Sequence, residues 1–400
     1  MHDSVTRRSV LQAIGLSAAA LGLQQSARAE EKKIQGFFES APTDANASKG
    51  WKPVSDRKLR VGIAGYGVCQ FGAAFGFQDH PNVTVAAVTD LDPEKCAGLA
   101  KACRCEKTYP SAEEMFKDDS IEAVFLATDA PSHARLAIAA LQSGKHAASA
   151  VPAAFGSLED AHKLYEAVKT TGRKYMMFET TYFHDDCYAM RQMYKAGALG
   201  KLVYAEGEYY HYMKDPIDSY KGWRVGIPPQ WYPTHSNGYY VGVCDGSFTE
   251  VCCMGMPSIL YWLQPGKNTF NNRFGTEIAS YRTSEGGMAR MGVSWDTPGH
   301  GGETGRIRAQ KGAYVGKFEG LEKDQPAIVR SPLPPGVKGG GHGGSHGYLM
   351  DEFVTAILAD RRPLVDVCAA LNMTVAGIMA HQSALKDGEL MKIPQFPRLA

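Results

Sequence analysis

The fold is decided by residues 59–90, which begin LRVGIAGYGVCQ and end VTVAAVTD. A short apolar run over residues 59–64 is followed by Gly65-Tyr-Gly67, and a second apolar run ends at Asp90. An apolar strand that passes through glycines into a helix is typical of a turn that binds a dinucleotide. The glycines allow a tight turn and let backbone N–H groups approach a pyrophosphate. The spacing therefore predicts a dinucleotide site at this turn.

The acidic residue at the end of the second strand indicates which dinucleotide binds. Asp90 lies where a carboxylate accepts hydrogen bonds from both hydroxyl groups of the adenosine ribose. It would repel a 2′-phosphate and no arginine follows it, so the pattern favours NAD over NADP. Gln70 stands where the usual pattern has a third glycine or alanine, with Gly72 nearby. We expect Gln70 to widen the contact between helix and strand, or to bring its amide towards the phosphates.

The rest of the chain shows two different patterns of predicted secondary structure. Strands alternate with helices over residues 58–178, which predicts a parallel sheet with helices on both faces. After about residue 180, longer alternating strands and glycine-rich loops predict a mainly antiparallel sheet. The sequence thus predicts an α/β fold, with a Rossmann dinucleotide-binding domain over residues 58–178 and an α+β domain over residues 179–400.

The first residues resemble a twin-arginine export signal. Arginines at positions 7 and 8 precede an apolar run over residues 13–23, and Ala27-Arg-Ala29 fits a cleavage site between small residues. An ordinary secretory signal that contains two arginines is the alternative. Residues 1–29 are thus expected to direct the protein to the periplasm or beyond, and residues 30–57 to form a linker. Because the twin-arginine route carries folded proteins, we expect the cofactor to be loaded in the cytoplasm and held tightly.

The composition excludes several classes of protein. The 400 residues carry a net charge of +1, which supplies no field to hold nucleic acid or an anionic membrane. In the mature chain no apolar run approaches the ~20 residues that a membrane span needs. The nine cysteines form no framework of CxxC pairs, so most are expected to be small buried apolar side chains.

Short motifs spread along the chain are similar to those of one enzyme family. They are ATDAPSH (127–133), GKH (144–146), VP (151–152), DEFVTAI (351–357), RP (362–363) and AHQSAL (380–385). On these motifs the chain resembles the glucose–fructose oxidoreductase / inositol dehydrogenase / MocA (Gfo/Idh/MocA) family from Arg60 onward. The resemblance implies an open-faced C-terminal sheet, homo-oligomers built through that sheet, and oxidation or reduction of sugars and polyols. It also implies NAD contacts at Thr128, His133 and Pro152.

One motif departs from the family. Where the family has Glu-Lys-Pro, this chain has Ala150-Val151-Pro152. The family's lysine lies beside the nicotinamide and helps to move the proton of the substrate hydroxyl. Because both charged groups are missing, this alignment excludes dehydrogenase chemistry by the usual lysine.

A second branch of the superfamily shares other motifs with this chain. Tyr182, Tyr232-Pro-Thr-His235 and His342-Gly-Gly344 resemble motifs of the NAD-dependent α-N-acetylgalactosaminidases, which also have valine at the lysine position. Those enzymes oxidise C3 of a glycoside transiently, eliminate the leaving group from the 3-keto form, add water and return the hydride. They keep a glutamate at the position of Ala150, so the present chain differs from them as well.

Tyr182 and His235 are the predicted proton-transfer residues, because a histidine with a pKa near ~6.5 exchanges protons at neutral pH. Tyr182 as a packed aromatic and His235 as a structural histidine are the alternatives, and the spacing allows Tyr239 as the base instead of His235. His342 and His346 lie in a glycine-rich loop with no carboxylate or cysteine at ligand spacing. We therefore predict no metal there, and a loop that closes over the nicotinamide.

The sequence predicts an NAD(H)-dependent enzyme that acts on a small carbohydrate by hydride transfer. Redox-neutral glycoside cleavage through a 3-keto intermediate is favoured, with a lyase as a variant in which water does not add back. A net sugar or polyol oxidoreductase of the glucose–fructose oxidoreductase kind is one alternative. A non-catalytic carbohydrate-binding protein is the alternative of another class, and it is motivated by Ala150 and Val151.

Overall fold

The computed structural model describes residue 44 and residues 46–321 and 327–399. The predicted export signal and residues 30–43 and 45 of the predicted linker lie outside the described residues. Within the described part of the chain, every helix is too short or too polar to cross a bilayer.

The first sheet has six strands, and every neighbouring pair is parallel. Its strands and helices are β1 (Leu59–Ala64), α1 (Phe71–Ala74), β2 (Val83–Thr89), α2 (Pro93–Ala102), β3 (Thr108–Tyr109), α3 (Ala112–Phe116), β4 (Ala123–Leu126), α4 (His133–Gln142), β5 (His146–Ser149), α5 (Leu158–Thr171) and β6 (Tyr175–Met177). The strand order β3-β2-β1-β4-β5-β6 is that of the Rossmann fold. The strand order reverses between β1 and β4, and this is the crevice in which such sheets bind ligands.

The second sheet has eight strands in the order β13-β12-β11-β7-β10-β9-β8-β14. The elements after β6 are α6 (Asp185–Lys195), β7 (Leu202–Tyr210), α7 (Thr234–Cys244), β8 (Phe248–Pro257), β9 (Phe274–Thr283), β10 (Met288–Ser294), β11 (Gly302–Ala309), β12 (Gly312–Tyr314), β13 (Phe318–Gly320), α8 (Gly341–Gly344), α9 (His346–Leu358), α10 (Val367–Ala384) and β14 (Met391–Lys392). All neighbours are antiparallel except β7 and β10, which are parallel. The predicted fold class, with its mainly antiparallel second sheet, is confirmed.

Helices α7 and α10 cover one face of the second sheet. Tyr281 on β9 donates a hydrogen bond to the carbonyl of Ala376 on α10 at 3.3 Å. Exposed side chains lie on the opposite face, where Met254 and Met256 of β8 are each 65% exposed. The predicted oligomer through this sheet stays a prediction.

Two glycines bring α7 unusually close to the sheet. Gly207 on β7 and Gly305 on β11 are cross-strand partners. A Cβ atom would lie 2.0 Å from the Ser236 carbonyl oxygen at the first glycine, and 2.1 Å from the Tyr239 ring at the second. No larger side chain fits at these distances, so this glycine pair sets the height at which the beginning of α7, with His235, rests on the sheet.

The glycine-rich turn after β1 differs in detail from the sequence prediction. The helix that follows the turn is short, because α1 ends at Ala74 and Gly76 adopts a left-handed backbone conformation with φ 81°. A short 3₁₀ turn follows. The close contact with the turn is made by Gly72, whose Cβ would lie 2.3 Å from the Gly65 oxygen. Gln70 is exposed and does not occupy this contact, so it does not widen it.

This contact predicts a stability difference between two glycines of the same segment. Gly72→Ala is expected to lower the free energy of unfolding by about 1–3 kcal/mol, because its methyl group meets a backbone oxygen. Gly67→Ala is the matched control, since no atom lies within 4 Å of its Cβ position; its effect should stay within about 0.5 kcal/mol. Urea denaturation measures both, and equal losses would contradict the packing role of Gly72.

Candidate functional site

The turn after β1 has the geometry of a dinucleotide cradle. Gly65 has φ 102°, and a Cβ there would lie 2.3 Å from the Ala127 oxygen, so only glycine fits against the segment that follows β4. Asp90 Oδ2 accepts a hydrogen bond from the Tyr66 N–H at 2.6 Å, which ties the end of β2 to the turn. Above Gly67 the space is open. The residues present therefore fit a dinucleotide, and the structure brings Gly65, Gly67, Gln70 and Asp90 to one place.

The other predicted cofactor residues gather at the carboxyl ends of β4 and β5. The buried ring of His133 lies with Nδ1 3.0 Å from the Pro152 oxygen and Nε2 3.3 Å from the Thr128 oxygen. Burial lowers the pKa of His133, so the ring is neutral and its single N–H donates to only one of these two carbonyl oxygens. Ala150 and Val151, in the same segment as Pro152, are buried.

His235 is the centre of the ionisable groups. It lies on the first turn of α7, and its Nδ1 is 2.8 Å from Glu179 Oε1 and 3.6 Å from Glu303 Oε1. Glu179 follows β6 and is fully buried, and the side chain of Glu303 at the start of β11 is only 6% exposed. Three separate elements therefore place one imidazole between two carboxylates.

Neighbouring groups hold the two carboxylates in place. Thr181 N–H donates to Glu179 Oε1 at 2.9 Å, and the Thr181 hydroxyl donates to Glu303 Oε2 at 2.5 Å. His184 Nε2 lies 3.3 Å from the same Glu303 oxygen. Tyr239 donates its hydroxyl to the backbone oxygen of Glu303 at 3.1 Å.

The carboxylates decide the charge of His235. Burial alone would lower its pKa, but the negative charges of Glu179 and Glu303 outweigh burial and raise the pKa to about 9. Burial likewise opposes the charge of Glu179, yet the His235 cation and its hydrogen bond hold the pKa of that carboxyl below the ordinary value. At neutral pH His235 is therefore an imidazolium ion that donates Nδ1–H to Glu179. Burial raises the pKa of Tyr239 far above its ordinary value, which disfavours this tyrosine as the base.

Tyr182 lies in different surroundings from His235. The Arg191 guanidinium stacks over its ring at 3.7 Å, and a Cβ at Gly242 on α7 would contact its edge at 3.2 Å. Tyr209 on β7 contacts the imidazole of His235, with ring centroids 4.6 Å apart. The structure does not bring the two predicted proton-transfer residues together, and the role of Tyr182 stays a prediction.

Aromatic rings surround the cluster on the side of the loop that precedes α7. Tyr232 lies 5.6 Å from His235 and stacks with Trp223 at 6.4 Å, and Phe155 meets the edge of Trp223 at 5.5 Å. The Arg224 guanidinium lies over the Trp223 ring at 4.3 Å. These rings form an apolar wall with one cation beside the buried histidine.

The glycine-rich loop brings two more histidines to the dinucleotide turn. His342 and His346 are joined by a 2.9 Å contact between His342 Nδ1 and His346 Nε2. The His346 ring stacks on Phe75 at 4.2 Å, and the His342 ring lies 5.5 Å from Phe71. The His342 ring is nearly parallel to the His235 ring, with centroids 6.4 Å apart. The loop thus connects α1 with the cluster around His235.

One group among the described residues has a spacing that a metal ion would accept. Glu179, His235 and Glu303 each offer a ligand atom, and these atoms lie within 4.8 Å of one another. The shortest distance within the group, between His235 Nδ1 and Glu179 Oε1, is that of a hydrogen bond. We interpret the group as an acid–base cluster, and the absence of a metal stays a prediction.

Sequence reasoning missed both carboxylates. Glu179 carried one usable signal, since it closely follows a parallel strand at the edge where ligands bind. No sequence signal marked Glu303, because it lies in a glycine-rich segment far along the chain and reaches the site only through strand pairing.

Residues 59–179 match a family described as an oxidoreductase family with an NAD-binding Rossmann fold, Gfo/Idh/MocA. This part of the chain is therefore similar to the Gfo/Idh/MocA family. The resemblance stated from the motifs is confirmed, and so is NAD as the cofactor of this domain.

Several relatives are named glycosyl hydrolase family 109 proteins. The one from Porphyromonas gingivalis is 28% identical over 241 residues, which cover 54% of this chain and 51% of the relative. The one from Solibacter usitatus is 23% identical over 99% of this chain and 98% of its own length. In the first three of these relatives, the matched part spans about half of their length.

Solved structures share the fold. Levoglucosan dehydrogenase in complex with NADH and levoglucosan has a TM-score of 0.67 at 19% identity, over 85% of this chain and all of that chain. The scyllo-inositol dehydrogenase of Lactobacillus casei has a TM-score of 0.65 at 15% identity, over 85% of this chain and 99% of that chain. At these identities the likeness establishes the two-sheet architecture.

The buried ion pair predicts how stability depends on pH. Because the pKa of His235 is raised from its ordinary 6.5 to about 9, the stabilisation is complete below pH 6.5 and is lost as the pH rises through about 9. Glu179→Gln is expected to lower the free energy of unfolding by about 3 kcal/mol at pH 6 and by clearly less at pH 10. Urea denaturation across this range measures the difference.

Glu352→Gln is the matched control for this measurement. Glu352 is also buried and forms a two-bond ion pair with Arg361, at 2.7 Å for each bond. Arginine keeps its proton throughout the range, so the loss from Glu352→Gln should not change between pH 6 and pH 10. If the loss from Glu179→Gln were equally constant, the charged state of His235 would be wrong.

Proposed function

We propose that this protein is an NAD-dependent enzyme that cleaves a glycoside by transient oxidation of its sugar, with NAD retained and regenerated in each turnover. The observation that carries the proposal is the buried His235, held between Glu179 and Glu303 beside the Rossmann crevice. His235 is an ionised acid–base group beside an apolar wall. Such a group is suited to moving the proton when a nearby hydride carrier oxidises a sugar hydroxyl or reduces the ketone.

NAD, when bound, supplies the hydride chemistry, since it takes a hydride from a sugar carbon and later gives it back. The chain's own residues bind and orient it. Gly65 and Gly67 would admit the pyrophosphate, and Asp90 would accept the ribose hydroxyls. Thr128 and Pro152, at the ends of β4 and β5, would line the nicotinamide end.

His235 would hold and move the proton at the reacting sugar oxygen. As an imidazolium ion at neutral pH, it binds the oxygen of a keto sugar as a hydrogen-bond donor and gives up its proton when that oxygen becomes a hydroxyl again. Trp223 and Tyr232 would pack against the C–H face of the sugar and exclude water. Tyr182, which packs against Arg191, stays the other predicted proton-transfer residue.

Two observations favour the redox-neutral cycle. Ala150 and Val151 leave the segment after β5 without the charged pair of ordinary family dehydrogenases. A relative that matches over 99% of this chain is named a glycosyl hydrolase family 109 protein. Net oxidation of a sugar or polyol is the second candidate, and the fold likeness to levoglucosan dehydrogenase favours it.

We propose further that the protein is exported with NAD already bound. The paired arginines at positions 7 and 8 support this proposal. A cofactor carried out of the cytoplasm meets no evident pool that would recycle it, so a cycle that returns the hydride to the same sugar fits this location. The exposed methionines on the second sheet support assembly into homo-oligomers through that face.

The first test is to denature protein produced in the cytoplasm and identify any nucleotide released. We expect one NAD or NADH per chain, followed by turnover of aryl glycosides with no cofactor added. In heavy water the redox-neutral route should place deuterium at C2 of the released sugar, because the 3-keto group makes that hydrogen exchangeable. Oxidised sugar with accumulating NADH would establish the net oxidoreductase instead. Sugar binding with no change in cofactor absorbance would leave a binding protein.

The second test is the pH dependence of turnover. Activity should fall as the pH rises through about 9, where His235 loses the proton that it must donate. Glu179→Gln removes one of the charges that raise this pKa, so the alkaline fall should move to lower pH. Glu352→Gln should leave the profile in place, and an unmoved profile in Glu179→Gln would remove His235 from the mechanism.

A further inference from the structure

A further carboxylate–histidine contact lies between β9 and α10, and the proposed mechanism does not use it. Glu277 on β9 has no exposed surface, and its Oε1 lies 2.6 Å from Nδ1 of His381, which is buried on α10. The other oxygen of the same carboxylate, Oε2, accepts the backbone N–H of Gln230 at 2.8 Å. Both oxygens of this buried carboxylate therefore have partners, and Gln230 belongs to the turn that precedes α7.

The side chain of Gln230 contacts the sheet as well. Its Nε2 donates to the backbone oxygens of Glu277 and of Met291 on β10, at 3.3 Å each, and the whole residue is buried. Helix α10 also approaches this turn closely, because a Cβ at Gly377 would lie 2.2 Å from the Gln230 oxygen. The 3₁₀ turn Pro229–Trp231 is thus held by the second sheet and by α10.

This turn supports the aromatic wall of the site. The Trp231 ring lies 5.6 Å from the His381 ring and 5.3 Å from the Phe155 ring, and it meets both at its edge. Tyr232 is the next residue of the chain and stacks with Trp223. The proposed function places Trp223 and Tyr232 against the C–H face of the sugar. The position of these rings therefore depends on the buried carboxylate that holds the turn.

His235 has separate anchors, although it follows the same turn. Its ring contacts Glu179 and Glu303, as described above. Two residues further along α7, Asn237 Nδ2 donates to the Met373 oxygen on α10 at 2.7 Å. Loss of the contact at the turn is therefore expected to shift the aromatic wall while the acid–base cluster stays in place.

We propose that Glu277 is a positioning residue that fixes the sugar-binding wall through Gln230, and that His381 holds the Glu277 carboxylate in the orientation that accepts the Gln230 N–H. The inference rests on the proposed function and names residues that determine sugar binding without touching the sugar. Because Glu277 has no exposed surface, it acts only through the turn. Its loss is expected to weaken sugar binding in the ground state and the transition state alike, which raises KM and leaves kcat.

Hydrogen exchange of the turn tests the contact without any turnover. In the wild type the peptide that contains Gln230 should exchange slowly, because its N–H is bonded to a buried carboxylate. Glu277→Met removes both acceptor oxygens and keeps the length of the side chain, so this exchange should become about 10-fold faster or more. Glu277→Gln keeps one oxygen for the same N–H and should restore slow exchange. Equal exchange in the wild type and Glu277→Met would overturn the anchoring role.

Steady-state kinetics on an aryl glycoside test the consequence for the wall. Glu277→Met should raise KM about 10-fold and keep kcat within about twofold. The alkaline fall in activity should stay in place, whereas Glu179→Gln moves it. Glu277→Gln should recover most of the lost KM. A kcat loss as large as the rise in KM, or an alkaline fall that moves, would overturn the proposal, because Glu277 would then act on the acid–base cluster.

Gly377→Ala disturbs the same turn from α10 and keeps the proposal testable if Glu277→Met does not fold. The added methyl group meets the Gln230 oxygen, so the turn must move away from the helix. KM should rise here too, with kcat unchanged. A folded Gly377→Ala variant with the KM of the wild type would contradict the link between the turn and sugar binding.

Glu352→Met is the matched control for Glu277→Met. Glu352 is also a buried carboxylate that accepts a backbone N–H, from Leu364 at 2.8 Å, and it pairs with Arg361. Its loss should lower stability and leave KM unchanged. An equal rise in KM in this variant would reduce the effect of Glu277→Met to general destabilisation.

The two proposals can fail separately. If no nucleotide is released and no sugar reacts, the proposed function fails, while hydrogen exchange still shows whether Glu277 holds the turn. If turnover proceeds and Glu277→Met has the KM of the wild type, only the positioning role of Glu277 fails.

Discussion

The contact between Glu179 and His235 is the constraint on which the site depends. Glu179 follows the last strand of the parallel sheet, and His235 begins the helix that rests on the second sheet, so one buried ion pair joins the two halves. Either charge alone would be costly in this interior, and each is stable only beside the other. The geometry of the cluster is therefore fixed by electrostatics as much as by packing, and Glu303 completes it from a third element.

The sequence allowed much of the fold to be predicted, because its signals are local. The strand, the glycine turn and Asp90 lie within residues 59–90 and define the Rossmann half. The parallel pairing of β7 with β10 could not be read in the same way, because the strands alternate alike in either direction. Gln70 was misleading, since counting positions assigned it the contact that Gly72 makes two residues later.

The candidate site could be predicted only in part. His235 lies in a recognisable motif, whereas its partners come from the end of β6 and the start of β11 and meet it only in three dimensions. The sequence does show that Ala150 and Val151 replace the charged pair that the family has at these positions. It does not record that ionisable groups reach the crevice from the second sheet instead. Tyr182, chosen from a motif, packs against Arg191, and Tyr209 lies beside the histidine.

The paired glycines of β7 and β11 link strand register to proton chemistry. Gly207 faces Gly305, and in the same register Glu303 faces Tyr209, which contacts His235. Sliding β11 by one residue would turn Glu303 to the other face of the sheet and put a side chain beneath α7. The same shift would move α7 away from the sheet and the Glu303 carboxylate away from His235. The acid–base cluster thus forms only when the two strands pair in the correct register, and a mispaired sheet would lack the cluster altogether.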